Sequence, residues 1–243
     1  MRLDQSTWYE IEDYLQKSNG VILPVGSIEQ HGPVGLIGTD AFCAEMIANA
    51  AADLSGALVA PTLAYTPAPF NMSFPGTLSL SEPLFAQMFE EVMQGLQSHG
   101  LTRVYVLNAH GANLAPLRQV AGDNPNIRIK SWWDFDAVNA IRSELYGDWE
   151  GLHATPSEIA ITQTRYRQLT HPDAGDPPRM LSPEERSRRA GDNHGPAELH
   201  RPEFPDGRVG AHSALASPEA GERLLEAAAK CVAADFLAFT DQA

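Results

Sequence analysis

Two short apolar runs, each emptying directly into a polar loop, constrain this chain more than any other feature. Val21-Ile22-Leu23-Pro24-Val25 reads as a buried strand that ends in the Gly-rich stretch from Gly26 to Thr39. Val104-Tyr105-Val106-Leu107, inside a strand from Arg103, leads likewise into Asn108-Ala109-His110-Gly111-Ala112. Continuous rather than alternating hydrophobicity marks strands covered on both faces. Ala57 to Ala60 and Ile127 to Trp132 supply two further strands.

Helical signals lie between the strands. Thr7 is placed to cap a helix to about Ser18, with Trp8, Ile11 and Leu15 on one face and Gly20 as the stop. A second helix is expected from near Asp40 to about Leu54, with Thr39 as its cap. Ser81-Glu82-Pro83 opens a third, ending near His99-Gly100; Pro is tolerated in a first turn because that N–H has no helical partner. Further helices are predicted from about Asn113 to Ala121 and after Ser217-Pro218-Glu219, where Leu224, Leu225 and Val232 are available for packing. Met88, Phe89 and Met93, at helical spacing, read as core. Strands alternating with helices imply βαβ units and a mainly parallel sheet with both faces covered.

Nothing in the composition divides the chain. Its 243 residues are 43% hydrophobic, enough for one substantial core, and no low-complexity linker interrupts them. We therefore expect a single domain over residues 1–243. Pro61 to Thr77, rich in Pro, Gly and aromatic residues, reads as an ordered loop. Residues 172–209, rich in Pro, Arg, Asp and Glu, read as a long irregular excursion available to another subunit.

Seventeen basic against 31 acidic side chains leave a net charge of −14, and Lys occurs only at 17, 130 and 230. A nucleic-acid partner needs a basic surface, so none is expected. The acidity suits solubility or the steering of a cationic ligand. Arg186-Ser187-Arg188-Arg189 reads as a solvated or subunit-facing patch. Cys43 and Cys231 imply no disulfide framework, which suits a reducing compartment. With no signal-peptide pattern in the first residues and no run of 18 apolar residues, a cytoplasmic protein without membrane contact is expected.

In a parallel sheet, ligands bind beyond the carboxyl ends of the strands, so both polar loops should meet at one edge. Glu29 and His31, two apart, project to the same side of an extended segment. A carboxylate and an imidazole converging there suit a divalent cation such as zinc or manganese. Asp40 can reach the same cleft and bridge two ions, or can simply complement its helix dipole. His110 stands in the second loop, flanked by small residues.

These residues carry a family resemblance. Gly26-Ser27-Ile28-Glu29-Gln30-His31-Gly32-Pro33 with Gly38-Thr39-Asp40 resembles the signature of the creatininase (creatinine amidohydrolase) family. Phe74-Pro75-Gly76-Thr77 and Asn108-Ala109-His110-Gly111-Ala112-Asn113 match further motifs in the same order, and His153 with Glu158 and the stretch from Gly210 to Glu219 match more loosely. The resemblance implies a three-layer α/β/α sandwich and a binuclear centre of two divalent ions, zinc foremost, with manganese or iron as alternatives. It carries Glu29, His31, Asp40 and His110 over as ligands, with Asp40 as the bridge. Creatininases proper have a ligating Glu where this chain has Ala112, and Glu158 is the expected replacement, as a ligand or as a support behind one. His153 and Glu158 form the expected catalytic pair, His153 delivering a proton to the departing nitrogen or else anchoring its loop. Ser73, Trp149 and Trp133 are carried as substrate-binding residues, with Trp132 or Trp133 as part of a gate. The family also implies a homo-oligomer, a hexamer or trimer.

Three departures bear on the substrate. Val34-Gly35-Leu36-Ile37 replaces the family's His-Leu-Pro-Leu, the His110 loop lacks the following aromatic and Glu, and Thr155-Pro156-Ser157 replaces a Gly-Glu run. The expected activity is therefore hydrolysis of a non-peptide C–N bond, in a cyclic amide or formamide of a small molecule, rather than of creatinine itself. Hydrolysis of another ring, such as a lactone or oxidised cyclitol, and non-catalytic binding of a small molecule are the alternatives. No Gly-x-Gly-x-x-Gly follows the first strand, which sets a dinucleotide-binding domain aside.

Overall fold

The computed structural model describes residues 1–241. Four strands, β1 (Gly20–Val25), β2 (Leu58–Val59), β3 (Arg103–Asn108) and β4 (Ile127–Ser131), form a parallel sheet in the order β2-β1-β3-β4. The β1 and β3 runs are the two central strands, and Val21, Ile22, Leu23, Val25 and Val104 to Leu107 are wholly buried. Pro24 fits a central strand because its carbonyl accepts from Leu63 N–H, past the end of β2. Its nitrogen faces that same side, where the short edge strand has already stopped.

Helices cover both faces. Ile22, Val59, Tyr105 and Leu107 pack against α2 (Thr39–Ser55), α5 (Asp136–Tyr146), α6 (Pro156–Gln163) and α9 (Pro218–Thr240). Val21, Leu23, Val25, Val104 and Val106 pack against α1 (Trp8–Leu15), α3 (Glu82–Ser98) and α4 (Leu114–Ala121). This is the three-layer α/β/α arrangement with a parallel sheet. Among the described residues no helix is long and apolar enough to cross a membrane.

Several local expectations change. Thr39 does not cap α2: it lies within the first turn, its hydroxyl donates to the Leu36 carbonyl at 2.7 Å, and Gly38 takes the cap position. Thr7 does cap α1, through a capping box with Glu10. Residues 172–209 are not irregular. They hold α7 (Pro183–Arg189), α8 (Ala197–Glu203) and a small core of Leu181, Phe204 and Val209. The reason was written at Ser182-Pro183-Glu184-Glu185, where Ser182 and Glu185 form a capping box with Pro at the first helical position. Arg189 is not a solvated residue of a basic patch: it is buried, pairs with Glu203 at 2.6 Å and lies over the Phe204 ring.

Candidate metal centre

The polar loops after β1 and β3 are joined at the carboxyl edge of the sheet. Asn113 Nδ2 donates to the Gly26 carbonyl at 2.9 Å, tying the second loop to the first. Gly26 itself is demanded by a close approach, since a Cβ there would run into the backbone of Ala41 in the first turn of α2. That approach delivers Asp40 to the loop carrying Glu29 and His31. Glu158 enters from the first turn of α6, where it shares a capping box with Thr155, and His153 enters from a one-residue bridge to Val209.

Three triads result; one is Glu29, His31 and His153, and the other two share Asp40. Glu29, Asp40 and His110 bring one ligand atom each within 4.8 Å of one another, and so do His31, Asp40 and Glu158. In the first, His110 Nδ1 lies 3.1 Å from Glu29 Oε1 and 3.3 Å from Asp40 Oδ2. In the second, His31 Nε2 lies 3.0 Å from Asp40 Oδ1 and 3.7 Å from Glu158 Oε1. All five side chains are buried.

The outer nitrogen of each imidazole is held by a backbone carbonyl. His110 Nε2 donates to Pro67 O at 2.8 Å, and His31 Nδ1 donates to Glu29 O at 3.0 Å. Such bonds set the tautomer and leave the other ring nitrogen free as a ligand. Glu29 Oε1 and Asp40 Oδ2 are buried without a hydrogen-bond donor, and both aim at His110 Nδ1. Buried carboxylate oxygens normally find a donor or a cation. The donor set, nitrogen and carboxylate oxygen, fits a divalent metal.

The electrostatics state the same demand for positive charge. Burial works against ionised His31, but Asp40 and Glu158 outweigh it and push the imidazole up to about 10. Glu29 raises His110 well above the ordinary histidine range despite burial. Asp40 is held below the usual carboxylate range, its burial overcome by the two histidines. Burial, with the charge of Asp40 added, pushes Glu158 up to about 7. Burial and the neighbouring His31 keep His153 well below its ordinary value, so that ring is neutral.

A cavity of about 300 Å³ opens onto the centre, lined by Glu29, Asp40, His110, His153 and Glu158. Its outer wall is Trp132, Trp133 and Arg142, the guanidinium 5.3 Å above the Trp132 ring and bonded to Glu150. Two of the residues expected to bind substrate do not line this cavity. Ser73 is not on the cavity, because its hydroxyl donates to Ala197 O at the start of α8. Trp149 is not on it either: its ring packs edge-on against His212, 5.8 Å away.

Sequence reasoning passed over four residues near the centre. Asn71 donates to Glu29 Oε2 at 2.8 Å, and the Gln30 side chain bonds Asn71 Oδ1 and lies beside His153. Asp192 lines the cavity, and His194 lies 3.3 Å from it. Gln30 stood within the first motif and Asn71 within a loop expected to be ordered. Asp192 and His194 sat in the segment taken as irregular, where only the Gly191 to Gly195 spacing marked a tight turn.

Fold and cluster define a class, a parallel α/β protein with a buried carboxylate–imidazole centre at the carboxyl edge of its sheet. The comparisons with known proteins make it particular. Residues 4–236 match the family model described as creatininase, creatinine amidohydrolase. The creatinine amidohydrolase of Pseudomonas putida is 28% identical over 205 residues, covering 73% of this chain and 79% of that protein. The 3-dehydro-scyllo-inosose hydrolase of Thermotoga maritima is 27% identical, covering 91% of this chain and 78% of that protein. A solved structure described as "Creatininase Mn" superposes with a TM-score of 0.72 at 24% identity, covering 98% of each chain. The chain belongs to the creatininase family of hydrolases.

Proposed function

We propose that the protein is a metal-dependent hydrolase that opens a non-peptide C–N bond, in a cyclic amide or formamide of a small molecule. One observation carries the reading: two histidine–carboxylate triads share Asp40 and leave buried oxygens aimed at one imidazole nitrogen. Glu29, Asp40 and His110 would hold one divalent ion, and His31, Asp40 and Glu158 the other. Bound there, such ions supply Lewis acidity toward a carbonyl oxygen and a water acidic enough to attack at neutral pH. The solved relative described with manganese is consistent with that choice of ion.

The protein's own groups then orient and move protons. Asn71 fixes one Glu29 oxygen and leaves the other for the centre. His153 donates Nε2–H to Gln30 O at 2.8 Å, which turns Nδ1 toward Glu29 Oε1, 3.6 Å away. A neutral His153 can take the proton that attacking water gives up and return it to the leaving nitrogen as the C–N bond breaks. The cavity stands at the small end of ligand pockets, roughly 300–1,000 Å³. Trp132 and Trp133 offer flat walls to a compact, ring-sized substrate.

A second reading, hydrolysis of an oxidised cyclitol, is favoured by the relative named for 3-dehydro-scyllo-inosose over 91% of the chain. The test is a panel of cyclic amides, lactones, oxidised cyclitols and formylamino compounds, offered with zinc, manganese or iron. At least one amide should be hydrolysed, and His31→Ala should abolish that turnover. Turnover indifferent to His31→Ala, or fewer than one bound metal per remetallated chain, would overturn the proposal.

A further inference from the structure

The turn Gly191-Asp192-Asn193-His194-Gly195 brings a fourth carboxylate to the centre. Asp192 Oδ2 accepts from Ala112 N–H at 2.8 Å and lies 3.5 Å from His110 Nδ1, although the two loops are far apart in the chain. The contact is tight: a Cβ on Gly111 would lie 2.5 Å from Asp192 Oδ2. The Asp192 side chain is 11% exposed and lines the same cavity as Glu29, Asp40 and His110.

Three carboxylate oxygens therefore surround one imidazole nitrogen, at 3.1 Å from Glu29, 3.3 Å from Asp40 and 3.5 Å from Asp192. With Nε2–H committed to Pro67 O, Nδ1 is the nitrogen that faces all three carboxylates. Glu29, Asp40 and His110 form a group able to hold a cation, and Asp192 lies beside its imidazole. The side chain at 112 is a methyl group, and its amide N–H is the one that Asp192 accepts from. On the opposite side of the carboxylate, His194 Nε2 lies 3.3 Å from Asp192 Oδ1, buried and without a hydrogen-bond partner of its own.

We propose that Asp192 is a ligand of the cation held by Glu29, Asp40 and His110, and that His194 is its positioning residue. The inference rests on the metal-dependent reading above and adds to it: the segment 172–209 closes one of the two metal sites. Asp192 is assigned to that site because it approaches His110 Nδ1.

Asp192→Asn tests this, since the amide oxygen can still accept from Ala112 N–H while the charge is lost. Zinc titration by calorimetry on the metal-free full chain is the readout, with visible absorption of the cobalt-substituted protein as a second. Wild type should bind two ions. Asp192→Asn should weaken one by roughly tenfold or more, the scale on which groups around a metal act, and shift the cobalt spectrum of that site. The other affinity should stay unchanged, and Asp192→Glu should recover part of the loss. Two unaltered affinities in Asp192→Asn, with one lost in His31→Ala, would overturn the Asp192 assignment and leave the metal centre standing. No zinc uptake by wild type would overturn both.

Discussion

His31 and His110, carried by different strand-end loops, face the two oxygens of a single carboxylate. His31 Nε2 is 3.0 Å from Asp40 Oδ1, and His110 Nδ1 is 3.3 Å from Asp40 Oδ2. The two halves of the centre are therefore coupled through one side chain, which itself sits in the first turn of α2.

Removing that link should disable both halves. Asp40→Ala should lower bound metal from two ions to fewer than one per chain, with each affinity falling more than about 100-fold, beyond the cost of losing an outer partner. Metal analysis after equilibrium dialysis checks this. A variant retaining two tightly bound ions would show that Asp40 only complements its helix.

Changing His153 should separate proton transfer from metal binding. Because its ring is neutral and its Nε2 is committed to Gln30 O, His153→Ala should lower kcat by roughly 10²–10⁴-fold, the range of general acid–base assistance. Metal content should remain at the wild-type level. Loss of metal in step with activity would mean that the ring supports the ligands instead.

Metal-free protein should lose stability as pH rises from about 6.5 to 10. His31 goes from 6.5 to about 10 on folding, so its contribution is full below 6.5 and disappears through about 10. Glu158 goes from 4.5 to about 7, so its contribution is present below 4.5 and gone above about 7. Glu158 lowers stability with rising pH between about 4.5 and 7 and His31 between about 6.5 and 10, while His153, held below its ordinary value, acts in the opposite sense below about 6.5. Zinc competes with those protons, so the stabilisation that zinc adds should grow over the same interval. Thermal melts with chelator and with zinc, from pH 5 to 10, read both trends. A chelated protein whose melting temperature climbs steadily to pH 10 would contradict the assignment.

Gly26→Ala should damage the centre from outside it. The added methyl meets Ala41 backbone, and the overpacking should cost about 1–3 kcal/mol. Because the displaced turn carries Asp40, metal affinity should fall as well. Denaturant unfolding of the metal-free chain and zinc titration measure the two effects separately.

The parallel sheet was legible in the residues because β1 and β3 are covered on both faces and read as continuous apolar runs. So were the starts of α1, α3 and α9, where Thr7, Ser81-Glu82-Pro83 and Ser217-Pro218-Glu219 stand at the caps. Helix α6 was not, since Pro156 to Thr162 are all buried and leave no polar face to set a helical period. Ser73 and Trp149 pack against Ala197 and His212 rather than lining the cavity, since nearness to a motif does not say which way a side chain turns.

Glu29, His31, Asp40 and His110 could be named from the chain alone, since strand-end loops of a parallel sheet must open on one edge. Which oxygen faces which nitrogen, and that Asp40 serves both triads, depended on how closely α2 packs on the loop at Gly26. Asp192 is the clearest case of the second kind. A carboxylate in a polar stretch resembles any solvated one until folding sets it against Ala112 N–H and His110, because local pattern reports periodicity and capping while long-range packing alone fixes distance.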